Sequence, residues 1–480
     1  MEISAGRIGP DAYPAQVVGG GSAGVRPFTA VSFVEGIAQY LGSNAKVYYE
    51  QGIPSLGEMA DDTQFSSDEA GKHQGLNAEI FTNTTLSGKP ALLRTDQHIN
   101  FDHAVGNDVS QNEISARWTG YFIPTIPGDH LLFVQGGGEE GGSRLYLDDK
   151  IIIDNWDRIN ARIGQLYLPL SAGRHKIRLE YFVHGSYGGL RFGIIRPNAI
   201  VSPAAKALAS RSDAVVVAVG FNPDSESEGG DRAFQLPPAQ DELINQLATV
   251  NKNLVVVVTS GGGIDTNAWF NHVPSLLEAW YPGQEGGTAL AQLIFGDYSP
   301  SGKLPISIER RWEDNAVHDS YYPKDNSKKV TYTEGVFVGY RHFDRAVVKP
   351  MFPFGYGLSY TTFDYRNLAI TPTNTSEEPS VTVSFDLTNA GTRAGAEIAE
   401  VYVGEPHSRI PRPVKELKGF EKVLLQAAET RHVSVNLDPR AFSYYDVGQH
   451  RWTLGTGDFT IWVGQSAAQI QLRGNVTLRP

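Results

Sequence analysis

An α/β pattern that stops and later resumes constrains this chain more than any other feature. Ala214–Val219 and Leu254–Thr259 are continuous apolar runs, and helical stretches at Ala204–Ser210, Asp241–Val250 and Gly287–Phe295 alternate with them. Runs that are apolar on both faces and separated by helices are what a parallel sheet covered on two sides requires. Leu304–Ile308 reads as a further strand. The same grammar occupies residues 1–57, with a Gly-rich turn at Val18–Ser22, a helix over Val31–Leu41 and a strand at Val47–Tyr49. Between the two parts, Gly75–Arg196 holds short alternating runs such as His130–Val134 and His175–Phe182, broken by Gly, Pro, Asn and Asp. That spacing predicts an all-β sandwich or barrel. One α/β domain with a β domain inserted into a surface loop accounts for both halves, because exposed loops tolerate insertion best.

The expected boundaries are 1–70 and 199–311 for the two parts of the α/β domain and 71–198 for the insertion. Residues 312–375 form a connector rich in Tyr, Pro and Gly, and alternation returns over 376–480, predicting a small terminal β-sandwich. A length of 480 residues fits about three domains. The 53 acidic residues outnumber the 41 basic ones, and the resulting charge of −12 argues against a nucleic-acid partner, since phosphate binding needs clustered Lys and Arg. With no cysteine there is no disulfide, thiolate nucleophile or Cys-based metal site. No apolar run approaches the ~20 residues that span a bilayer, so no membrane partner is expected. Met1–Pro10 lacks the basic and apolar regions of a secretory leader, and the compartment stays open.

The densest acidic cluster is Asp224-Ser225-Glu226-Ser227-Glu228-Gly229-Gly230-Asp231-Arg232, directly after the run Ala214–Gly220. Loops at the carboxyl ends of parallel strands are where α/β sheets bind ligands. Neighbouring carboxylates repel, so one of them is expected to keep its proton as a general acid must, while Arg232 holds another ionised. A solvated acidic loop is the competing reading. Gly261-Gly262-Gly263 lacks the spacing and the lysine of a phosphate loop and reads as a tight turn. Ser260-Gly261-Gly262 is no nucleophile elbow, and His272, His318 and His342 have no metal-ligand spacing. Trp280-Tyr281-Pro282-Gly283-Gln284-Glu285-Gly286-Gly287 offers aromatic surface for sugar stacking, although packing explains it at least as well. Asp148-Asp149 suits a hairpin turn or a calcium ligand pair.

Several of these stretches together carry a resemblance. Gly19–Ala23, Glu226–Arg232 with Leu236-Pro237, Ala279–Gly287, Phe295–Asp297 through Pro300–Pro305, Glu334–Arg341 and Phe352–Tyr360 follow one another as in glycoside hydrolase family 3, the β-glucosidase family. The resemblance implies a multidomain fold: an α/β sandwich with a mostly parallel sheet, interrupted by an inserted all-β sandwich of the protective-antigen type and followed by an immunoglobulin/fibronectin type III-like β-sandwich. In that module a pair of aspartates can precede the core hairpin; Glu139 and Glu140 stand there instead, which speaks against calcium-dependent sugar binding. Members of the family begin with a (β/α)8 barrel that supplies the catalytic aspartate, and neither its Ser-Asp-Trp-like motif nor room for a barrel exists in these residues. The chain looks cut at a domain boundary. By resemblance, Glu228 is the catalytic acid/base, supported by Glu226, Asp231 and Arg232, with no cofactor and no metal. The implied function is the acid/base-bearing part of a retaining exo-β-glycosidase acting on terminal β-linked sugars, with the nucleophile on a barrel-bearing segment or subunit. The alternative is a non-catalytic carbohydrate-binding or scaffolding protein derived from such a hydrolase.

Overall fold

The computed structural model describes residues 3–102, 105, 113–137, 141–156, 163–184, 189–322, 329–373 and 380–479. They fall into two compact units, Met1–Ala291 and Gln292–Pro480.

The first unit is built on a five-stranded sheet in the order Ser275–Glu278, Leu254–Thr259, Ala214–Gly220, Ile3–Ile8, Ala45–Glu50, with every neighbouring pair parallel. Val215, Val217, Val256 and Val258 are completely buried, as the continuous apolar runs require. The strand Ile3–Ile8 lies second from an edge although it carries Arg7, which is buried and whose guanidinium burial pulls down to a pKa of about 10. Helix Phe33–Leu41 starts at a capping box in which Ser32 and Glu35 satisfy each other's backbone amides. Helix Pro203–Arg211 starts on Ser202 with Pro at its first position, where a missing N–H costs nothing. Helix Gln240–Val250 buries Leu243, Ile244, Leu247 and Ala248 against the sheet core.

The insertion leaves this domain after helix Leu56–Asp62. Its two antiparallel sheets run Lys150–Asp154, Gly141–Leu147, His175–His184, Glu113–Phe122, Leu76–Phe81, Leu92–Asp96 and Ile163–Leu170, Gly128–Gly137, Gly189–Ile195, Ile99–Phe101. Phe65–Ser66 also pairs with Glu113–Phe122, so the β structure begins a few residues before position 71. Trp118, Tyr181 and Phe192 fill the core between the sheets. Leu131 and Phe133 belong instead to the α/β core, packed with Met59, so the strand Gly128–Gly137 serves both domains.

In the second unit, three strands (Phe363–Thr373, Ser380–Asn389, Thr430–Leu437) face four (Glu416–Leu425, Gly395–Gly404, Gly457–Gly464, Ile470–Leu478) across a core containing Phe385, Phe442 and Phe459. The strand Phe363–Thr373 lies inside the stretch 312–375 that reads as connector. A register shift between Arg366 and Ala369, with Asn367 at φ 56°, breaks its alternation and hides it from a period-2 reading.

Leu304–Ile308 is not a strand of the parallel sheet. Leu304 and Ile308 pair only irregularly with Tyr356 and Phe352, at 2.9 and 2.8 Å, and Pro305 supplies no amide to a ladder. The fifth strand is Ser275–Glu278, a four-residue, partly exposed edge strand whose short polar-ended sequence carries no apolar run.

Candidate active site

The order of the parallel sheet decides where a ligand can approach. After Ile3–Ile8 the chain goes to one side of that strand, and it later returns on the other side as Ala214–Gly220. Loops leaving the carboxyl ends of those neighbours diverge, and the crevice between them is the usual ligand position in open α/β sheets. The two loops are Gly9–Val31 and Phe221–Ala239, and they hold the Gly-rich turn and the acidic cluster.

Backbone contacts join these loops. Gly20 N–H donates to the Glu226 carbonyl at 3.1 Å and Glu228 N–H donates to the Gly20 carbonyl at 3.2 Å, with Gly20 bridged to Ser227. The glycines are needed for this approach. A Cβ on Gly20 would stand 2.4 Å from the Ser227 Cβ, and one on Gly21, at φ +89°, would stand 2.4 Å from the Glu228 Cβ.

Glu226 is the hub of the cluster. One carboxylate oxygen accepts from Arg232 Nε at 2.7 Å; the other accepts from Gly261 N–H at 2.9 Å and from the Tyr281 hydroxyl at 2.7 Å. Arg232 also donates to the Gly263 carbonyl at 2.9 Å and lies over the Phe221 ring. Loops from three adjacent strand ends are therefore tied to one ion pair. Asp231 is half-buried beside Arg232. The insertion reaches the same loop through Gln165, whose side-chain amide donates to the Leu236 carbonyl at 2.6 Å beside a small cavity lined by Ile163, Phe221, Ser225 and Arg232.

Glu228 is exposed and accepts a 2.7 Å hydrogen bond from Ser22 N–H. Bonding from Ser22 holds its carboxyl below the ordinary glutamate range. For Glu228 this is the opposite of the upward shift that repulsion in the acidic loop would produce. Glu226 is spent on Arg232 and two further donors, and water screens what charge remains near Glu228.

Two carboxyls near the crevice are pushed upward by burial. Glu278, at the end of the edge strand, accepts from Trp280 N–H at 3.0 Å and from the Ser260 hydroxyl at 3.2 Å. Burial pushes it up to about 8, helped by Glu226 and opposed by those two donors and Arg232. Asp11, after the strand Ile3–Ile8, is fully buried with one oxygen unpartnered, and burial pushes it up to about 8 as well. Neither residue stood out in the sequence. Asp11 is a lone acid after Gly-Pro, and Glu278 precedes a motif that reads as aromatic packing.

The other candidates fall into structural roles. The N–H of Gly261 is occupied by Glu226, which leaves the triple-glycine turn closing on a protein carboxylate. His272 pairs with Asn245, His342 with the Asp314 carbonyl and His318 with Asp319, so each ring is engaged by its own protein partner. Asp148 and Asp149 have φ values of 50° and 63° and form a hairpin turn, their carboxylates engaged by His175 and Lys176. Glu139 and Glu140 lie outside the described residues.

Residues 6–340 match the glycosyl hydrolase family 3 C-terminal domain, and residues 397–467 match a fibronectin type III-like domain. The chain belongs to glycosyl hydrolase family 3. A β-glucosidase of Rhizobium radiobacter is 34% identical over 98% of this chain, and β-glucosidase B of Emericella nidulans is 32% identical over 96%. The chain spans 58% and 57% of the length of those two family 3 relatives. Among solved structures, a β-glucosidase from Streptomyces venezuelae in complex with D-glucose matches 99% of the chain at TM-score 0.68 and 29% identity. One from Kluyveromyces marxianus in complex with glucose matches 99% at 0.65 and 29%. The chain covers 56% and 59% of these two structures.

Proposed function

We propose that this chain is the acid/base-bearing part of a retaining exo-β-glycosidase of family 3, with Glu228 as the proton donor and Glu226, Asp231 and Arg232 holding its loop. The observation that carries the reading is the division of labour at the crevice: Glu226 is consumed by Arg232, Gly261 and Tyr281, while Glu228 is presented to solvent on a short tether to Ser22. A retaining mechanism needs two carboxyl groups about 5–5.5 Å apart, one attacking the anomeric carbon and one protonating the leaving oxygen. The attacking group is assigned to a barrel-bearing segment outside these 480 residues, in keeping with relatives whose length the chain only partly spans. Their names point to terminal β-linked glucose as the substrate class.

The depressed pKa of free Glu228 fits this role once a glycoside is seated. A sugar over the carboxyl displaces water and disfavours the anion, which raises the pKa when the proton is needed. Deglycosylation then returns the proton from water to the same carboxylate. In an assembly that includes the barrel, Glu228→Gln lowers turnover of a poor-leaving-group glycoside by about 10²–10⁴-fold. Azide restores part of the turnover on an activated aryl glucoside and yields the β-glycosyl azide. If azide has no effect and no azide product forms, the role belongs to another residue, with Glu226 the first to examine.

A further inference from the structure

The bridge between Gly20 and Ser227 is a short piece of parallel ladder: Gly20 N–H donates to the Glu226 carbonyl at 3.1 Å and Glu228 N–H to the Gly20 carbonyl at 3.2 Å. In a regular ladder the next donor, Ser22 N–H, would meet the Glu228 carbonyl. It meets the Glu228 side chain instead, at Oε2 and 2.7 Å. Gly21 at φ +89° and Gly229 at φ +72° turn both backbones out of the extended course after the bridge. Gly21 also leaves the carboxyl its path, since a Cβ there would stand 3.1 Å from Oε2 as well as 2.4 Å from the Glu228 Cβ. The side chain thus takes the rung in place of its own carbonyl. No described residue donates to Oε1.

We propose that Ser22 is a positioning residue for Glu228: its N–H makes Oε2 the accepting oxygen of the carboxyl, and Oε1 is the oxygen that hands the proton to the leaving group. This deepens the proposed function and rests on it. A neutral carboxyl has one carbonyl oxygen and one hydroxyl, and an amide N–H donates to the carbonyl oxygen. Oε2 therefore keeps its bond to Ser22 in both protonation states, and the proton sits on Oε1. As the anomeric carbon passes to the nucleophile, its bond to the leaving oxygen breaks and that oxygen takes the proton from Oε1. The aglycone departs as a neutral alcohol, and the charge stays on a carboxylate still braced through Oε2. The brace keeps the group in place until it draws a proton from water in the second half of the reaction.

Ser22 is the second residue of a turn closed by Gly24 N–H on the Gly21 carbonyl at 3.0 Å, without a positive φ at Ser22 or Ala23. Proline suits that place, so Ser22→Pro removes the N–H and spares the turn. In an assembly that includes the barrel, Ser22→Pro lowers kcat for an alkyl glucoside, which needs the proton, about tenfold more than kcat for a dinitrophenyl glucoside, which does not. Equal losses on the two substrates overturn the proposal. On the full 480-residue chain, hydrogen exchange at the Ser22 amide is as slow in Glu228→Gln, whose side-chain carbonyl takes the same bond, as in wild type, and about tenfold faster in Glu228→Ala. An Ala variant that exchanges like wild type, or a Gln variant that exchanges like Ala, overturns it too. Protection of the Glu228 amide in Ser22→Pro shows that the loop stays seated; its loss there assigns Ser22 to the backbone clamp and overturns the role at the carboxyl. Azide rescue of Glu228→Gln without a leaving-group effect of Ser22→Pro strikes this proposal alone, whereas no azide rescue removes the reading beneath it as well.

Discussion

Asp11 and Glu226 are carboxyls at the ends of two adjacent strands, and their surroundings treat them oppositely. Glu226 meets a guanidinium, an amide and a phenol; Asp11 meets enclosure and one unpartnered oxygen. Asp11 therefore favours its neutral form in the fold, with a pKa near 8 against an unfolded value near 3.8. Below about pH 4 both states are protonated and the group is neutral to stability. Between about pH 4 and 8 the unfolded chain ionises while the fold does not, and stability is lost progressively. Asp11→Asn removes that loss, so its advantage over wild type in urea unfolding grows across this window toward a ceiling on the order of 5 kcal/mol. Arg232→Ala acts in the other direction. It strands the Glu226 carboxylate, whose side chain is only 17% exposed, and should cost about 1–3 kcal/mol in the same assay. Arg232→Lys recovers only part of it, because an ammonium group cannot reproduce the fork that reaches both Glu226 and Gly263.

At the scale of elements, a loop's chemistry is decided by which neighbour it touches. Gly21→Ala forces a side chain into a positive-φ position and against the Glu228 Cβ, and must shift the acidic loop away from Ser22. Loss of that hydrogen bond returns the Glu228 carboxyl toward the ordinary glutamate range, an upward move that a carboxyl NMR titration of the chain measures. Strands are legible in the sequence when burial is symmetric. Leu254–Thr259 is read with the same bounds that it has in the fold because both its faces are covered. Ser275–Glu278 has no such signature, since an edge strand pairs on one side only. Leu304–Ile308 has the apolar composition of a strand but meets only Tyr356 and Phe352, outside the parallel sheet.

For the first unit as a whole, the inserted sandwich is no loose appendage. Phe133 lies in one of its strands yet packs in the α/β core with Met59 and Ile200, so Phe133→Ala should destabilise that unit by about 3–5 kcal/mol. Gln165 adds a tie to the loop segment that follows Arg232. The alternation of apolar runs with helices, the β insertion and the short motifs of family 3 could all be read from the residues themselves, because covered sheets and tight turns impose local composition. What only the folded chain decided was the state of each carboxyl: which is paired, which keeps its proton and which faces water. Those states depend on dielectric and on partners as remote in sequence as Ser22 from Glu228 or Glu226 from Tyr281, and no local pattern encodes such distances.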